Sequence, residues 1–268
     1  MKPRKAAGAV LFEHFGFVLF KPKSAGNIGA AARAIKNMGF SDLVLVRPAS
    51  FQKKAATDMA VHARDILDSA RVTQDLRTAL HGFTIAVGTT ARTGPYRAGA
   101  MTLRGAASEL ADRAAAGDRI ALIFGPEDFG LTNEELKQCD RLIRIPTSAE
   151  YSSLNLAQSV MLVAYEIMLA LAGLRPRRAD SSAEDGRPPV AEINDGVERL
   201  KSALLSIGFL PEDNPEHIMH ALREVIGRAR VSKRDLDIIN GIARQIGWFA
   251  EGGRETIERK RRAGKKIR

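Results

Sequence analysis

Between Phe15 and about Leu174, short apolar runs alternate with segments of helical spacing, and this alternation constrains the fold more than any other feature of the chain. Most of the apolar runs are continuous, as in strands that are covered on both faces. The alternation therefore predicts an α/β domain with an open parallel sheet. The predicted strands are Phe17–Phe20, Leu43–Val46, Phe83–Gly88, Ile120–Phe124 and Leu142–Ile145.

Helices are expected between and after these strands. Thr132 is a natural N-cap, and Glu135 three residues later completes a capping box. The most apolar stretch, 154–174, contains Asn155 and Glu166, which favours a buried helix over a membrane span, so no membrane partner is expected. The predicted helical ranges are 28–38, 55–68, 74–80, 103–116, 132–139 and 154–172.

The composition changes after Gly173, where prolines, arginines and serines replace the apolar pattern. Such a stretch is typical of a linker. Helical spacing returns in 191–207, 215–228 and 232–246, which predicts a small helical unit. The predicted organisation is an α/β domain at 1–174, a linker at 175–190, a helical extension at 191–250 and a basic tail at 251–268.

The charge balance favours a polyanionic partner. The chain has 41 Lys and Arg against 31 Asp and Glu, a formal net charge of +10. Half of the excess lies in 251–268, which holds eight Lys or Arg and three Glu. Such a balance favours nucleic acid through neutralisation of phosphates. The single cysteine, Cys139, excludes an internal disulfide and a multi-thiolate zinc cluster and fits a reducing compartment, so we expect a cytoplasmic protein.

Three segments at the predicted strand ends carry candidate functional groups. The first, 26–39, opens a helix directly after a strand and contains Asn27 and Arg33. A glycine turn before a helix N-terminus can hold phosphate, but the dinucleotide glycine pattern and the phosphate-loop ending are both missing from the sequence. An oxidoreductase with a nucleotide cofactor therefore loses support. Helix capping and an ordinary surface charge are the alternative roles for these residues.

The second and third segments follow two later strands. Residues 123–132 form a glycine-flanked acidic loop, placed where open α/β sheets bind ligands. Residues 145–157 end another strand and open the long helix with hydroxyl and amide groups. Ser152 and Ser153 are candidates for its caps.

In order and spacing, the three segments resemble the signature motifs of the SPOUT-class RNA 2′-O-ribose methyltransferases, the SpoU/TrmH family. Gly-Leu-Thr-Asn-Glu-Glu-Leu at 130–136, Glu-Tyr-Ser-Ser-Leu-Asn-Leu-Ala at 150–157 and Gly-Thr-Thr-Ala-Arg at 88–92 look most like the TrmJ branch, which methylates nucleotide 32 of the tRNA anticodon loop. Gly-Phe-Leu-Pro-Glu-Asp-Asn-Pro at 208–215 is similar to that branch's helical extension. The resemblance covers about 15–247.

The resemblance implies a C-terminal trefoil knot, S-adenosylmethionine as cofactor, tRNA as partner and a homodimer whose site uses both protomers. No DNA partner is expected and no metal-binding residue is assigned, while dependence on a metal stays open. The implied cofactor-binding residues are Thr89, Thr90, Ala91, Gly125, Ile145, Ser152, Ser153 and Leu154. The implied catalytic residues are Arg33, Glu127, Ser153 and Asn155. The residues implied to contact the RNA are Asn27, Arg33, Arg228 and Arg230.

A ribose 2′-hydroxyl is a poor nucleophile at neutral pH, so such a site must align it with the methyl group and stabilise developing negative charge. A guanidinium stays protonated, so Arg33 suits alkoxide stabilisation or phosphate orientation better than general base catalysis. Two further hypotheses stay open, a ribosomal-RNA 2′-O-methyltransferase and a non-catalytic RNA-binding protein. Pro126 and Gly94-Pro95-Tyr96-Arg97 depart from the TrmJ pattern, which leaves the choice of tRNA open.

Overall fold

The computed structural model describes residues 11–49, 53–92, 97, 99–148, 150–174, 187–229 and 231–253. Seven parallel strands form one sheet with the order β3-β2-β1-β6-β4-β7-β5. They are β1 Phe15–Phe20, β2 Asp42–Val46, β3 Arg71–Thr73, β4 Ile85–Thr90, β5 Met101–Thr102, β6 Ile120–Phe124 and β7 Arg141–Arg144. The predicted parallel α/β sheet is confirmed, while the trefoil knot stays a prediction.

The helices connect and cover these strands. In the α/β domain they are α1 Ala25–Asn37, α2 Lys53–Ala60, α3 Arg64–Asp68, α4 Leu76–Ala79, α5 Leu103–Ala115, α6 Asn133–Leu136 and α7 Leu156–Gly173. The predicted capping box at α6 is confirmed, because the Thr132 amide donates to the Glu135 carboxylate at 2.8 Å. The helix ends earlier than predicted, and the Asp140 amide donates to the Ala86 carbonyl oxygen at 2.8 Å, where the chain joins the sheet.

The core lies on both faces of the central strands, which explains their continuous apolar sequences. All six residues of β1 and all five of β6 are buried. Phe17 and Leu19 pack on one face with α1, α5 and α7, whereas Val18 and Phe20 pack on the other with α4 and α6. This alternation follows the two-residue period of a strand.

The strands β4 and β7 are shifted from their predicted ranges, and two short strands were missed. β4 runs two residues past the predicted 83–88, because Thr89 and Thr90 pair with Ile143 and Arg144 of β7. The missed strands β3 and β5 have three and two residues, too few to form a recognisable apolar run. The shift of β4 carries its two threonines to the end of the sheet.

The long apolar helix α7 packs against the sheet. Among the described residues it is the one helix long and apolar enough to cross a membrane by length and composition. Its residues Val160, Val163, Ala164 and Ile167 are fully buried in the core of the α/β domain. The interpretation of this stretch as a core helix agrees with that packing.

The helical extension consists of α8 Val190–Ser206, α9 Glu216–Arg228 and α10 Lys233–Trp248, followed by a π-helical turn at Phe249–Gly253. It has its own apolar cluster, formed by Ile193, Val197, Leu210, Met219, Val231 and Leu236. Residues 175–186 of the predicted linker, residues 254–268 of the predicted tail and residues 1–10 lie outside the described residues.

The last residues of the predicted linker are part of the packed structure. The Val190 amide donates to the Phe83 carbonyl oxygen at 2.9 Å, and the Val190 side chain joins the core of the α/β domain. Arg187 donates to the buried Asp140 carboxylate at 2.7 Å. The helical extension is therefore docked on the sheet through buried contacts.

Candidate cofactor pocket and active site

A pocket of about 240 Å³ lies at the C-terminal ends of β4, β6 and β7. Its lining includes all eight residues expected to bind the cofactor: Thr89, Thr90, Ala91, Gly125, Ile145, Ser152, Ser153 and Leu154. The structure brings them together because the ends of parallel strands meet at one edge of the sheet, where loops from different parts of the chain converge. Their role in cofactor binding stays a prediction.

The loop after β6 is shaped by two glycines. A Cβ on Gly125 would lie 2.3 Å from the carbonyl carbon of Gly130, so no side chain fits there. Gly130 has φ +64° and its amide donates to the Pro126 carbonyl oxygen at 2.9 Å. Positive φ favours glycine. These contacts fold the loop back on itself and place Glu127, Asp128 and Phe129 between the two glycines, along the pocket.

Glu127 connects this loop to the turn before α1. Its carboxylate accepts hydrogen bonds from the amides of Lys23 and Ser24 at 2.9 and 3.1 Å and from Asn27 Nδ2 at 2.9 Å. Burial raises the pKa of this carboxyl, but the hydrogen bonds outweigh burial and hold the pKa below its usual value. Glu127 is therefore an anion whose oxygens are already occupied, which suits a positioning role.

Asn155 connects the third segment to the same network. Its Nδ2 donates to Asn27 Oδ1 at 2.9 Å, while its Oδ1 accepts from the Ala157 amide at 2.9 Å and caps α7. Asn27 thus links Glu127 to Asn155, and the three motif segments meet through one side chain. The expectation that Ser152 or Ser153 caps this helix was wrong, because the helix begins at Leu156 and its N-cap is Asn155.

The remaining pocket groups combine hydroxyls with apolar surfaces. Ser152 and Ser153 are exposed along the lining, and Thr89 is oriented by donating its hydroxyl to the Ile123 carbonyl oxygen at 3.0 Å. Ile145 and Leu154 supply partly buried apolar surface. Such a mixture suits a ligand with an aromatic base and a polar sugar.

Arg33 lies apart from these residues. It is exposed on α1, does not line the pocket, and forms no hydrogen bond or ion pair with any residue that the structure describes. A single chain therefore does not bring Arg33 to its own cofactor pocket. The other predicted RNA contact in the described chain, Arg228, is exposed at the end of α9, and Arg230 lies outside the described residues.

Sequence reasoning missed three residues that hold the site in place. Ser24 caps α1 by accepting from the Asn27 amide at 3.3 Å, and a serine before a helical segment is a recognisable signal. Lys23 pairs with Asp128 at 2.5 Å. Arg97 donates to the Leu131 carbonyl oxygen at 3.2 Å, and burial lowers the pKa of its guanidinium. Neither cation has a local sequence signal.

Two protein-family models match the chain. Residues 14–165 match the SpoU rRNA methylase family, and residues 191–261 match the C-terminal domain of the tRNA methyltransferase TrmJ. The chain is 37% identical over 249 residues to tRNA (cytidine/uridine/adenosine-2′-O-)-methyltransferase TrmJ of Pseudomonas aeruginosa, covering 90% of this chain and 97% of that protein. It is 35% identical over 245 residues to tRNA (cytidine/uridine-2′-O-)-methyltransferase TrmJ of Salmonella typhimurium, covering 88% and 97%.

A solved structure shows the same architecture over most of the chain. The crystal structure of TrmJ from Z. mobilis ZM4 superposes with a TM-score of 0.72 at 27% identity, covering 87% of this chain and 98% of that one. A probable methylase family protein from Haemophilus influenzae superposes with a TM-score of 0.59 at 30% identity, covering 90% and 98%. Both likenesses include the helical extension as well as the sheet domain.

Proposed function

The chain belongs to the SpoU rRNA methylase family and transfers methyl groups from S-adenosylmethionine to ribose 2′-hydroxyls of tRNA, and we propose nucleotide 32 of the anticodon loop as the target. The observation that supports methyl transfer is that the second and third motif segments line one pocket and that Asn27 of the first segment joins them by hydrogen bonds to Glu127 and Asn155. The match of 191–261 to the TrmJ C-terminal domain favours tRNA over ribosomal RNA.

The pocket residues fit S-adenosylmethionine. Ile145 and Leu154 offer apolar contacts to an adenine ring, and the hydroxyls of Ser152 and Ser153 suit a ribose or an aminoacyl group. The folded-back loop between Gly125 and Gly130 shapes the opposite wall. When bound, S-adenosylmethionine supplies a methyl group made electrophilic by its sulfonium.

The protein's own contribution is alignment and charge stabilisation. Glu127 and Asn155 are positioning residues: through Asn27 they fix the three loops relative to one another. The Glu127 carboxylate already accepts three hydrogen bonds, which hold its pKa below the usual value and suit positioning better than proton transfer. Arg33 supplies a permanent positive charge for the target phosphate or the developing alkoxide.

A homodimer completes this site. On α7, Leu162, Tyr165 and Leu169 are exposed at spacings of three and four residues, which places them on one face of the helix. A second copy of the chain would cover this apolar face. Since Arg33 lies outside its own pocket, the partner subunit's Arg33 would serve the pocket of this chain.

The helical extension supplies affinity for tRNA. Arg228, Lys233 and Arg234 are exposed around the junction of α9 and α10. Phosphate contacts of this kind position RNA without reading its sequence. We place the reaction in the cytoplasm, where such a substrate would be met.

Methylation mapping tests this function. Full-length protein is incubated with labelled S-adenosylmethionine and either tRNA or ribosomal RNA, and the modified ribose is located by nuclease digestion and mass spectrometry. We expect the mark at nucleotide 32 of tRNA. Transfer to ribosomal RNA alone would overturn the substrate, and a mark elsewhere in tRNA would overturn the position.

Arg33→Ala provides the test of the catalytic assignment. We expect the rate of transfer to fall at least a hundredfold, on the order of the loss of one charge-stabilising donor, while the Kd for S-adenosylmethionine changes less than about threefold. Arg64→Ala, which removes another exposed arginine, on α3, is the matched control and should retain the rate. Equal loss of cofactor affinity in Arg33→Ala would contradict a role on the substrate side.

A further inference from the structure

An aromatic ring lines the pocket and lies outside the core of the α/β domain. Phe129 sits in the folded-back loop after β6 and lines the pocket, and 40% of it is exposed. It belongs to neither buried cluster of the α/β domain. A partly exposed phenylalanine along a binding pocket offers a flat aromatic face on which a planar ligand can stack.

The ring is held in place from the side of α1. Lys23 pairs with the neighbouring Asp128 at 2.5 Å, and its ammonium lies 5.9 Å from the centroid of the Phe129 ring. The Lys23 amide also donates to Glu127, so the backbone on that side is fixed as well. With the ammonium over the ring, Phe129 still keeps 40% of its surface exposed, which a planar ligand could cover.

We propose that Phe129 is a stacking platform for an unstacked base of the RNA strand whose ribose enters the pocket. Every nucleobase presents a π-face, and proteins that recognise single-stranded RNA loops stack the splayed bases on aromatic side chains. This assignment rests on the proposed function and adds a residue that orients the substrate.

The test separates the flat π-face from simple apolar bulk. Phe129→Leu keeps an apolar side chain and removes the ring, whereas Phe129→Trp keeps an aromatic face. For each full-length variant we would measure KM and kcat with tRNA and the Kd for S-adenosylmethionine by calorimetry. Stacking is also read directly as fluorescence quenching of 2-aminopurine placed beside the target nucleotide in an anticodon stem-loop.

We expect Phe129→Leu to raise the KM for tRNA about tenfold, in the range of one lost base–aromatic stack, and to abolish the quenching. Phe129→Trp should retain both within about threefold, and the Kd for S-adenosylmethionine should change less than twofold in either variant. Wild-type KM and quenching in Phe129→Leu would overturn the proposal.

Two other results would assign the ring elsewhere and also overturn the proposal. Weaker binding of S-adenosylmethionine with unchanged KM for tRNA would make Phe129 a cofactor contact. Loss of the dimer in size-exclusion chromatography would make it a subunit contact. If the wild-type protein methylates no tRNA, the proposed function fails, and the quenching comparison still decides whether Phe129 stacks on RNA.

Discussion

Two carboxylates each join segments far apart in the sequence, one at the pocket and one where the helical extension docks, yet their pKa values move in opposite directions. At the pocket, hydrogen bonds lower the pKa of Glu127 despite partial burial. At the docking interface, burial raises the pKa of Asp140 although Arg187 opposes it. Both carboxylates accept hydrogen bonds from backbone amides. Glu127 accepts from Lys23 and Ser24, and Asp140 accepts from Ala86.

The difference shows how burial changes what a carboxylate needs. Glu127 keeps contact with solvent, so neutral N–H donors are enough to hold it as an anion. Asp140 is enclosed, and an enclosed charge depends on a paired cation. Glu127 therefore joins the pocket loops through neutral hydrogen bonds, whereas Asp140 at the docking interface depends on an ion pair.

The largest expected effect follows from removing the cation at the docking interface. Arg187→Met leaves Asp140 buried without its ion-pair partner and should lower the free energy of unfolding by about 3–5 kcal/mol at pH 7. Denaturation with guanidinium chloride would measure this loss. Glu127→Gln at the pocket should cost less, which is the contrast that the comparison predicts.

The loss of stability in Arg187→Met should depend on pH, and the shifted pKa of Asp140 gives the direction. Without the guanidinium the folded-state pKa of Asp140 rises further, so the protonated carboxyl is favoured in the folded state. Stability relative to wild type should be best below the unfolded pKa of about 3.9 and fall as pH rises through the folded value. The double variant Asp140→Asn with Arg187→Met should recover part of the loss at pH 7. A deficit that did not change with pH would show that packing, rather than charge, holds this interface.

The contrast between the two regions also explains what the sequence could predict. Strand ends in a parallel sheet meet at one edge, so the residues around the pocket were predictable from strand order and motif resemblance. The contact between Arg187 and Asp140 was not, because Arg187 lies in a polar, proline-containing stretch with the composition of a linker. Long-range ion pairs leave no periodic pattern in a sequence.

The hydrogen bonds that join the pocket loops could not be predicted from the sequence either. Asn27 is 100 residues from Glu127 and 128 residues from Asn155, and its own surroundings in the sequence suggest only a helix N-terminus. Composition and spacing give the type of each side chain, whereas the hydrogen-bond partner depends on how the loops pack. The exposure of Phe129 is a property of the same kind.

Glu127→Gln should have the second largest effect. Its amide would keep one acceptor oxygen and turn its NH2 group toward at least one of the three N–H donors, and loss of hydrogen bonds to a charged group costs about 1.5–3 kcal/mol. We expect the free energy of unfolding at pH 7 to fall within this range and methyl transfer to fall about tenfold or more. Chemical denaturation and a transfer assay on the same preparation would measure both.

The stabilisation by Glu127 changes with pH in the opposite direction to that by Asp140. The folded-state pKa of Glu127 is lowered, so its stabilisation is present above the unfolded pKa of about 4.3 and is lost as pH falls through the folded value. The difference between wild type and Glu127→Gln should therefore shrink in acid. Glu134→Gln, whose exposed carboxylate pairs only with Lys137 among the described residues, is the matched control and should cost under about 0.5 kcal/mol.

Substitutions of Asn155 should have the smallest effect on stability. They separate helix capping from the pocket network, because Oδ1 and Nδ2 make different hydrogen bonds. Oδ1 caps α7, and Nδ2 joins the pocket network through Asn27. Asn155→Asp keeps the cap but turns a second oxygen toward Asn27 Oδ1, whereas Asn155→Ala removes both functions. We expect the aspartate variant to lose about 1 kcal/mol of stability, one hydrogen bond, and the alanine variant to lose about a further 1 kcal/mol with the cap. Methyl transfer should fall about equally in both. Full transfer in Asn155→Asp would show that the pocket is held by the cap alone, as an ordinary helix end is.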